Sequence, residues 1–241
     1  MIVAVLSDIH SNGDALDAVL ESARTEGATS WWCLGDVVGY GAEPDKVVDK
    51  VRGLEALTVA GNHDWAACGK VSTRQFNKNA ALAAAWTAQN TSAENLAWLA
   101  ALPLVATADH ARLVHATPSA PEEWNYCMRI DDAWLEMKAF EEMVCMIGHS
   151  HYPGVFEKEG EEIRYTRAPS LRLREGRQYL VNVGSVGQPR DGDPRAAYAL
   201  FDTDSRLVRH VRVTYDVEAA QGKILAAGLP PFLASRLAAG D

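Results

Sequence analysis

The chain has 241 residues, 48% hydrophobic and 23% charged, with a formal net charge of −9. Such values suit a soluble globular protein with one well-buried core, and no apolar run reaches the roughly 18 residues of a membrane span. The acidic balance, without a dense Lys/Arg stripe, argues against duplex nucleic acid as a partner. The start MIVAVLSDIH lacks a signal-peptide pattern, so a cytoplasmic protein free of the membrane is expected.

In chain order, IVAVLS (2–7) reads as a buried strand, followed by a helix over NGDALDAVLESARTEG that Gly27 closes. TSWWCLG (29–35) is the next strand, EPDKVVDKVRG a short helix with Pro44 in its first turn, and LEALTVAG a third strand. This alternation predicts a parallel sheet with helical crossovers, an α/β protein. Two Ala-rich helices come next at about 75–102, the second capped by Ser92. They form an insertion that either packs on the sheet or overhangs a site. VATADHARLVHA reads as a hairpin through Asp109 and His110, DDAWLEMKAFEE as a helix, and VCMIG, GVFEKEGEEIRYT, RQYLVNVG and AAYALFDTDSRLVRHVRVTYD mostly as antiparallel or mixed strands joined by turns. VEAAQGKILAAG and PPFLASRLAAGD give two terminal helices. With no repeat and no low-complexity linker, residues 1–241 read as a single domain. Cys33, Cys68, Cys127 and Cys145 form no CxxC pair; Cys33 and Cys145 sit in apolar runs as core thiols.

The chemistry lies in the polar residues at the end of each apolar run. IVAVLS leads into Asp8 and His10, WWCLG into Asp36, LTVAG into Asn62, His63 and Asp64, ARLV into His115, and VCMIG into His149 and His151. Ligands of α/β sheets gather at the carboxyl ends of strands, so these five tips are expected to meet in one cleft. Any one tip could be a cap, a turn or a core histidine; the joint pattern is hard to obtain by chance. The remaining histidines, His110 and His210, read as surface residues. Imidazole, carboxylate and amide oxygen without thiolate suit Mn, Fe, Zn, Co or Ni. Two such ions form the clamp used for in-line displacement at phosphorus, and they would make the pocket locally positive despite the acidic chain.

The ordered set DIH (8–10), GD (35–36), GNHD (61–64), His115 in LVHAT and GHSH (148–151) resembles the calcineurin-like metallophosphoesterase superfamily. NVGSVGQPRDGDPRAAYALFD (182–202) resembles the small bacterial and archaeal phosphodiesterase-type branch, whose Gly-Ser loop returns beside the metals. The resemblance implies a four-layer α-β-β-α sandwich of two mixed β-sheets flanked by helices. It implies two divalent metal ions, manganese first, with iron, zinc, nickel or cobalt as alternatives. Asp8, His10 and His151 would hold one ion and Asn62, His115 and His149 the other. Asp36 would bridge them, and Ser150 would turn away. His63 is then the non-ligand histidine facing the leaving group, protonated as a general acid, while a hydroxide held between the ions attacks phosphorus. In some members a second Asp orients this histidine and an Arg holds phosphate; here Gly39 and Tyr40 occupy those positions, which argues against protein-phosphatase activity. Asp64 is the substitute candidate for orienting His63, although adjacent side chains often point apart.

Arg190 is the candidate phosphate contact, against the alternative of a turn arginine paired with Asp191 or Asp193; Asn12 and Tyr40 are further candidates to line the cleft. Ser185 has no Ser-His-Asp arrangement around it. The resulting expectation is a phosphohydrolase for a small phosphorylated substrate, nucleotides included, as a phosphodiesterase or phosphomonoesterase. A dinucleoside polyphosphate hydrolase is the first alternative, with Trp65, Phe76 and Tyr126 as candidate base contacts. A non-catalytic scaffold on the same fold is the second, disfavoured because every ligand position is retained. The sequence sets neither the metal nor the oligomeric state.

Overall fold

In the computed structural model, which describes residues 1–241, side chains of the first strand, β1 (Ile2–Leu6), alternate between two cores. Val3 and Val5 face a second sheet; Ala4 and Leu6 face helices. β1 pairs in parallel with β2 (Ser30–Cys33), and β2 with β3 (Leu57–Thr58). On the other side of β1 lie β11 (Ala196–Asp202), β12 (Leu207–Val213) and β9 (Ser170–Arg172), all antiparallel.

The second sheet runs β4 (Val105–Ala108), β5 (Ala111–Val114), β6 (Val144–Ile147), β10 (Gln178–Asn182), β7 (Gly154–Glu159), β8 (Glu162–Thr166). It is parallel at β5–β6 and β6–β10 and antiparallel elsewhere. Both sheets have six strands and both are mixed. Trp32, Leu34, Leu113, Met146, Val181 and Phe201 fill the space between them. Each such side chain contributes about 1.5–3 kcal/mol by leaving water.

Helices α1 (Gly13–Thr25), α2 (Pro44–Gly53) and α5 (Ala93–Ala101) cover the outer face of the first sheet through Leu16, Val19, Val48, Val51 and Leu99. Helix α6 (Ile130–Glu136) and the turn after it cover the second through Ala133, Met137 and Phe140. The expected helix–sheet–sheet–helix sandwich is the architecture observed. The two Ala-rich helices, however, part company. Only α5 reaches the sheet. α4 (Lys78–Gln89) packs Ala80 and Ala83 against the terminal pair α7 (Val217–Ala226) and α8 (Pro231–Ala239), together with Tyr40. Lys223 on α7 anchors this pair to Asp14 at 2.8 Å and Glu43 at 2.9 Å.

Three local expectations need correction. The third strand shrinks to two residues, because the Ala60 amide turns to the Pro103 carbonyl instead of extending the ladder. A short helix, α3 (Asn62–Ala67), begins directly at GNHD, and β9 was not foreseen. His210 is not a surface residue: it is half-buried, with Nε2 2.8 Å from the Asn182 carbonyl.

Candidate metal centre

Backbone geometry at the strand tips is unusual. Asp8, His10, Asp36, His149 and His151 all have left-handed φ, between 50° and 63°. Asp and His tolerate this region better than most residues, yet each still costs on the order of 1 kcal/mol. The gain is direction: the tip turns sharply and throws its side chain toward the gap between the sheets' ends. Two glycines make the close packing feasible. A Cβ on Gly148 would lie 1.9 Å from Ser7 Oγ and 2.5 Å from Asp8 Oδ2, and one on Gly61 would lie 2.1 Å from Asp36 Oδ1.

The structure brings all seven expected ligands together. Asp8, His10 and His151 form one group and Asp36, His115 and His149 a second, every member buried. His10 Nε2 lies 3.2 Å from His151 Nε2, and His115 Nε2 3.1 Å from His149 Nδ1. Asp36 Oδ2 stands between the groups, 3.3 Å from His115 Nε2 and 3.7 Å from His10 Nε2. Asp8 Oδ1 lies 3.1 Å from His151 Nε2. Asn62 Oδ1 and Asp8 Oδ1 are buried without any hydrogen-bond partner.

The outer ring nitrogens explain why these donors face each other. His10 Nδ1 donates to the Val38 carbonyl (3.1 Å), His115 Nδ1 to that of Leu34 (2.8 Å), and His151 Nδ1 to that of Gln188. For His10 and His151 that fixes the tautomers and leaves the Nε2 lone pairs turned inward. Converging lone pairs on His10 and His151, with orphaned oxygens on Asp8 and Asn62, repel one another unless a cation lies among them. The residue set therefore fits divalent metals.

The unligated halves of the carboxylates are also held. Asp8 Oδ2 accepts from Ser7 Oγ (2.7 Å) and the His149 amide (2.9 Å); Asp36 Oδ1 accepts from the His63 amide (2.8 Å). Burial pushes Asp36 up, but the imidazoles of His115 and His63 outweigh it and hold the carboxyl well below its usual range. His115 shows the reverse balance: burial lowers it, and the Asp36 carboxylate pushes it up to about 9.

His63 is no member of either group. Its Nδ1 is sealed without a partner at Gly39, where an added Cβ would come within 2.7 Å. A buried N–H without an acceptor is costly, so the proton sits on Nε2. Burial, reinforced by the Arg190 guanidinium against the pull of Asp36, lowers His63 to about 4. That favours the neutral imidazole in the free protein. Asp64 does not orient it: Asp64 Oδ1 accepts from the Val38 amide (3.1 Å) and Oδ2 from the Gly61 amide (3.0 Å). This ties two ligand loops together and corrects the role expected for Asp64. Burial and the nearby Asp36 charge push Asp64 up to about 7.

A cavity of about 270 Å³ opens over the two groups, with Asp36, Asn62, His63, His149 and His151 in its floor. Arg190 lines it, its Nε buried without a partner and its guanidinium hydrogen-bonded only to Gln188 Oε1 (3.1 Å). Asp191 is taken by Arg167 and Arg212, and Asp193 by Arg195, so Arg190 is not the paired turn arginine of the alternative reading. Tyr40 and Phe76 pack on the His63 ring, at 4.4 and 4.9 Å between centroids. Tyr126 stacks on His149 at 4.3 Å and 16°.

Two expected cleft residues lie elsewhere. Asn12 caps α1, its Oδ1 accepting from the Ala15 amide, while its Nδ2 donates to the Gly187 carbonyl, and it does not line the cavity. Trp65 is packed edge-on to Trp124 and covered by Lys70. The Gly-Ser loop that the resemblance put beside the metals lies against the first ligand group and steadies it. Ser185 Oγ donates to the Asp8 carbonyl, and Asn182 Nδ2 to the Gly148 carbonyl and to Ser150 Oγ, so Ser150 is indeed engaged away from the ligands. The glycine spacing of NVGSVGQPR was the available signal.

The family model for the calcineurin-like phosphoesterase superfamily domain matches residues 1–206. An uncharacterised protein of Methanocaldococcus jannaschii is 40% identical over 245 residues, covering 99% of this chain and 98% of that one. The crystal structure of a metallophosphoesterase from Sphaerobacter thermophilus is similar at TM-score 0.88 and 38% identity, covering 100% of this chain and 99% of the other. A hypothetical protein from Pyrococcus horikoshii shares the fold at TM-score 0.81 and 20% identity, covering 100% and 98%.

Proposed function

The chain belongs to the calcineurin-like phosphoesterase superfamily, and from that premise we propose that it is a dinuclear metal-dependent phosphohydrolase of the cytoplasm, acting on a small phosphorylated substrate, nucleotides included, and not on duplex nucleic acid. The observation that carries this reading is the adjacency of two buried groups, each of one carboxylate and two imidazoles, with Asp36 Oδ2 in reach of both.

Asp8, His10 and His151 would hold one ion, Asn62, His115 and His149 the other, and Asp36 both; manganese is the first choice. When bound, two divalent cations neutralise charge on the phosphoryl oxygens and acidify water. The rest of the work falls to the chain. Arg190, which no carboxylate pairs and whose Nε has no partner, is placed to meet the substrate phosphate. In hydrolysis, water oxygen forms the new bond to phosphorus and releases a proton to solvent while the bond to the leaving oxygen breaks; His63, as the imidazolium, gives that oxygen its Nε2 proton and returns to the neutral imidazole. A bound phosphate anion raises the imidazole from the value it has in the free protein, bringing it toward the range of a working acid. Tyr40 and Phe76 shield that ring from water.

A second reading, hydrolysis of a dinucleoside polyphosphate, is favoured by one feature: the Arg190 guanidinium lines the cavity within reach of both His63 and His151, where it could meet a second phosphate. The deciding experiment pairs metal analysis of the purified protein with a screen of monoesters, diesters and dinucleoside polyphosphates under added Mn²⁺. Metal near two equivalents with turnover of one class is expected. Failure to hydrolyse even activated phosphoesters would return the chain to a scaffold role.

A further inference from the structure

The cavity has two unlike ends. At the His149 end, Tyr126 lies parallel on a candidate metal ligand. At the His63 end the wall is the segment 71–80, which contributes Val71, Ser72, Gln75, Phe76, Asn77 and Ala80 and no charged residue. Phe76 stands 4.9 Å from His63 at 42°, so a group that takes a proton from His63 departs alongside this ring. On either side of Phe76 are the exposed amide side chains of Gln75 and Asn77. Asn77 Oδ1 is committed to the Ala80 amide, which leaves its Nδ2 protons for another acceptor.

An aromatic face flanked by neutral amide donors and acceptors matches a flat heterocycle with polar edges. It does not match an extended anion, for Arg190 is the sole cation in the lining. The wall is also firm: Ala80 and Tyr40 are locked into the apolar cluster that holds α4 against Leu233 and Leu237 of α8. At about 270 Å³, the space is at the small end of ligand pockets, room for one ring-bearing group and its phosphate.

Resting on the phosphohydrolase reading, we infer that the leaving group is a nucleoside, its base lying against Phe76 and its edge met by Gln75 and Asn77. Phe76 is then the residue that sets substrate preference.

The test uses the full-length Mn²⁺-loaded protein and two matched substrates: the 5′-methyl phosphodiester of adenosine and that of methyl riboside, with the corresponding monoesters as a second pair. In each pair the group that leaves is a ribose 5′-alkoxide of like basicity, and only the base differs. Stacking of a base on an aromatic side chain predicts a kcat/KM preference for the adenosine member of about tenfold or more. Phe76→Ala brings the ratio toward one, Phe76→Trp keeps it, and Tyr126→Ala, at the other end, moves it less than Phe76→Ala does. A wild-type ratio near one, equal losses on both substrates in Phe76→Ala, or a larger shift from Tyr126→Ala overturns the inference while leaving the hydrolase intact. Phe76→Leu replaces Phe76→Ala if the alanine variant does not fold. Saturation-transfer NMR with adenosine on the metal-free protein reads the same contact without turnover. Base protons saturated in wild type and not in the Phe76 variant support it; no transfer in wild type overturns it. Absence of all phosphoester hydrolysis, by contrast, strikes at the phosphohydrolase reading, and the NMR result then stands alone.

Discussion

At the scale of single residues, His63 and His115, displaced in opposite directions from the ordinary imidazole value, make opposite predictions. His63 touches neither ligand group and meets the cavity through Nε2, so His63→Ala is expected to keep its full metal content and lose about 10²–10⁴-fold in kcat, most on poor leaving groups. Elemental analysis beside steady-state kinetics checks this; parallel loss of metal would place His63 among the ligands. His115 is held protonated in the metal-free protein by Asp36, up to about 9. Its folded value lies above its unfolded one, so the stability it lends is complete below about pH 6.5 and fades as pH rises through 9. Metal must displace that proton. Metal affinity is therefore expected to rise by about tenfold per pH unit between 7 and 9, measured by chelator competition, and a flat profile would contradict the Asp36–His115 pairing.

Elements explain why some of this was readable in advance and some was not. The tips of β1, β2, β5 and β6 were legible because an apolar run followed by Asp or His leaves few alternatives for the polar group. The helix that follows Gly61 was not, since its six residues are too few to show a periodicity. Nor were the carbonyls of Leu34, Val38 and Gln188 that aim the imidazoles, because backbone acceptors leave no mark in the sequence. Asn12 was misjudged for a related reason: a cap and a cleft residue look alike until its partners are seen. Its two hydrogen bonds join α1 to the loop carrying Arg190. Asn12→Ala is expected to cost about 1–2 kcal/mol in chemical unfolding of the metal-free protein. A change within a few tenths would mean that solvent already satisfies those groups.

For the molecule as a whole, five left-handed ligand residues and a nest of facing lone pairs mean that the native state without metal carries an internal load that unfolding releases. Metal binds the native state alone, so a free concentration a thousandfold above Kd should stabilise the fold by about 4 kcal/mol. For a chain of this length that is about 8–16 °C in Tm. Scanning calorimetry with and without chelator reads it, and an unchanged Tm would argue that the site does not take up the ion. The α7–α8 pair lies beyond residues 1–206, the part shared with the family model, yet it backs Tyr40 and the wall that carries Phe76. A lineage can exchange that hairpin and reshape the outer wall while every side chain facing the cations stays as it was. Two such descendants would inherit one reaction and diverge in what they cut, and a graft between them should transfer diet without transferring chemistry.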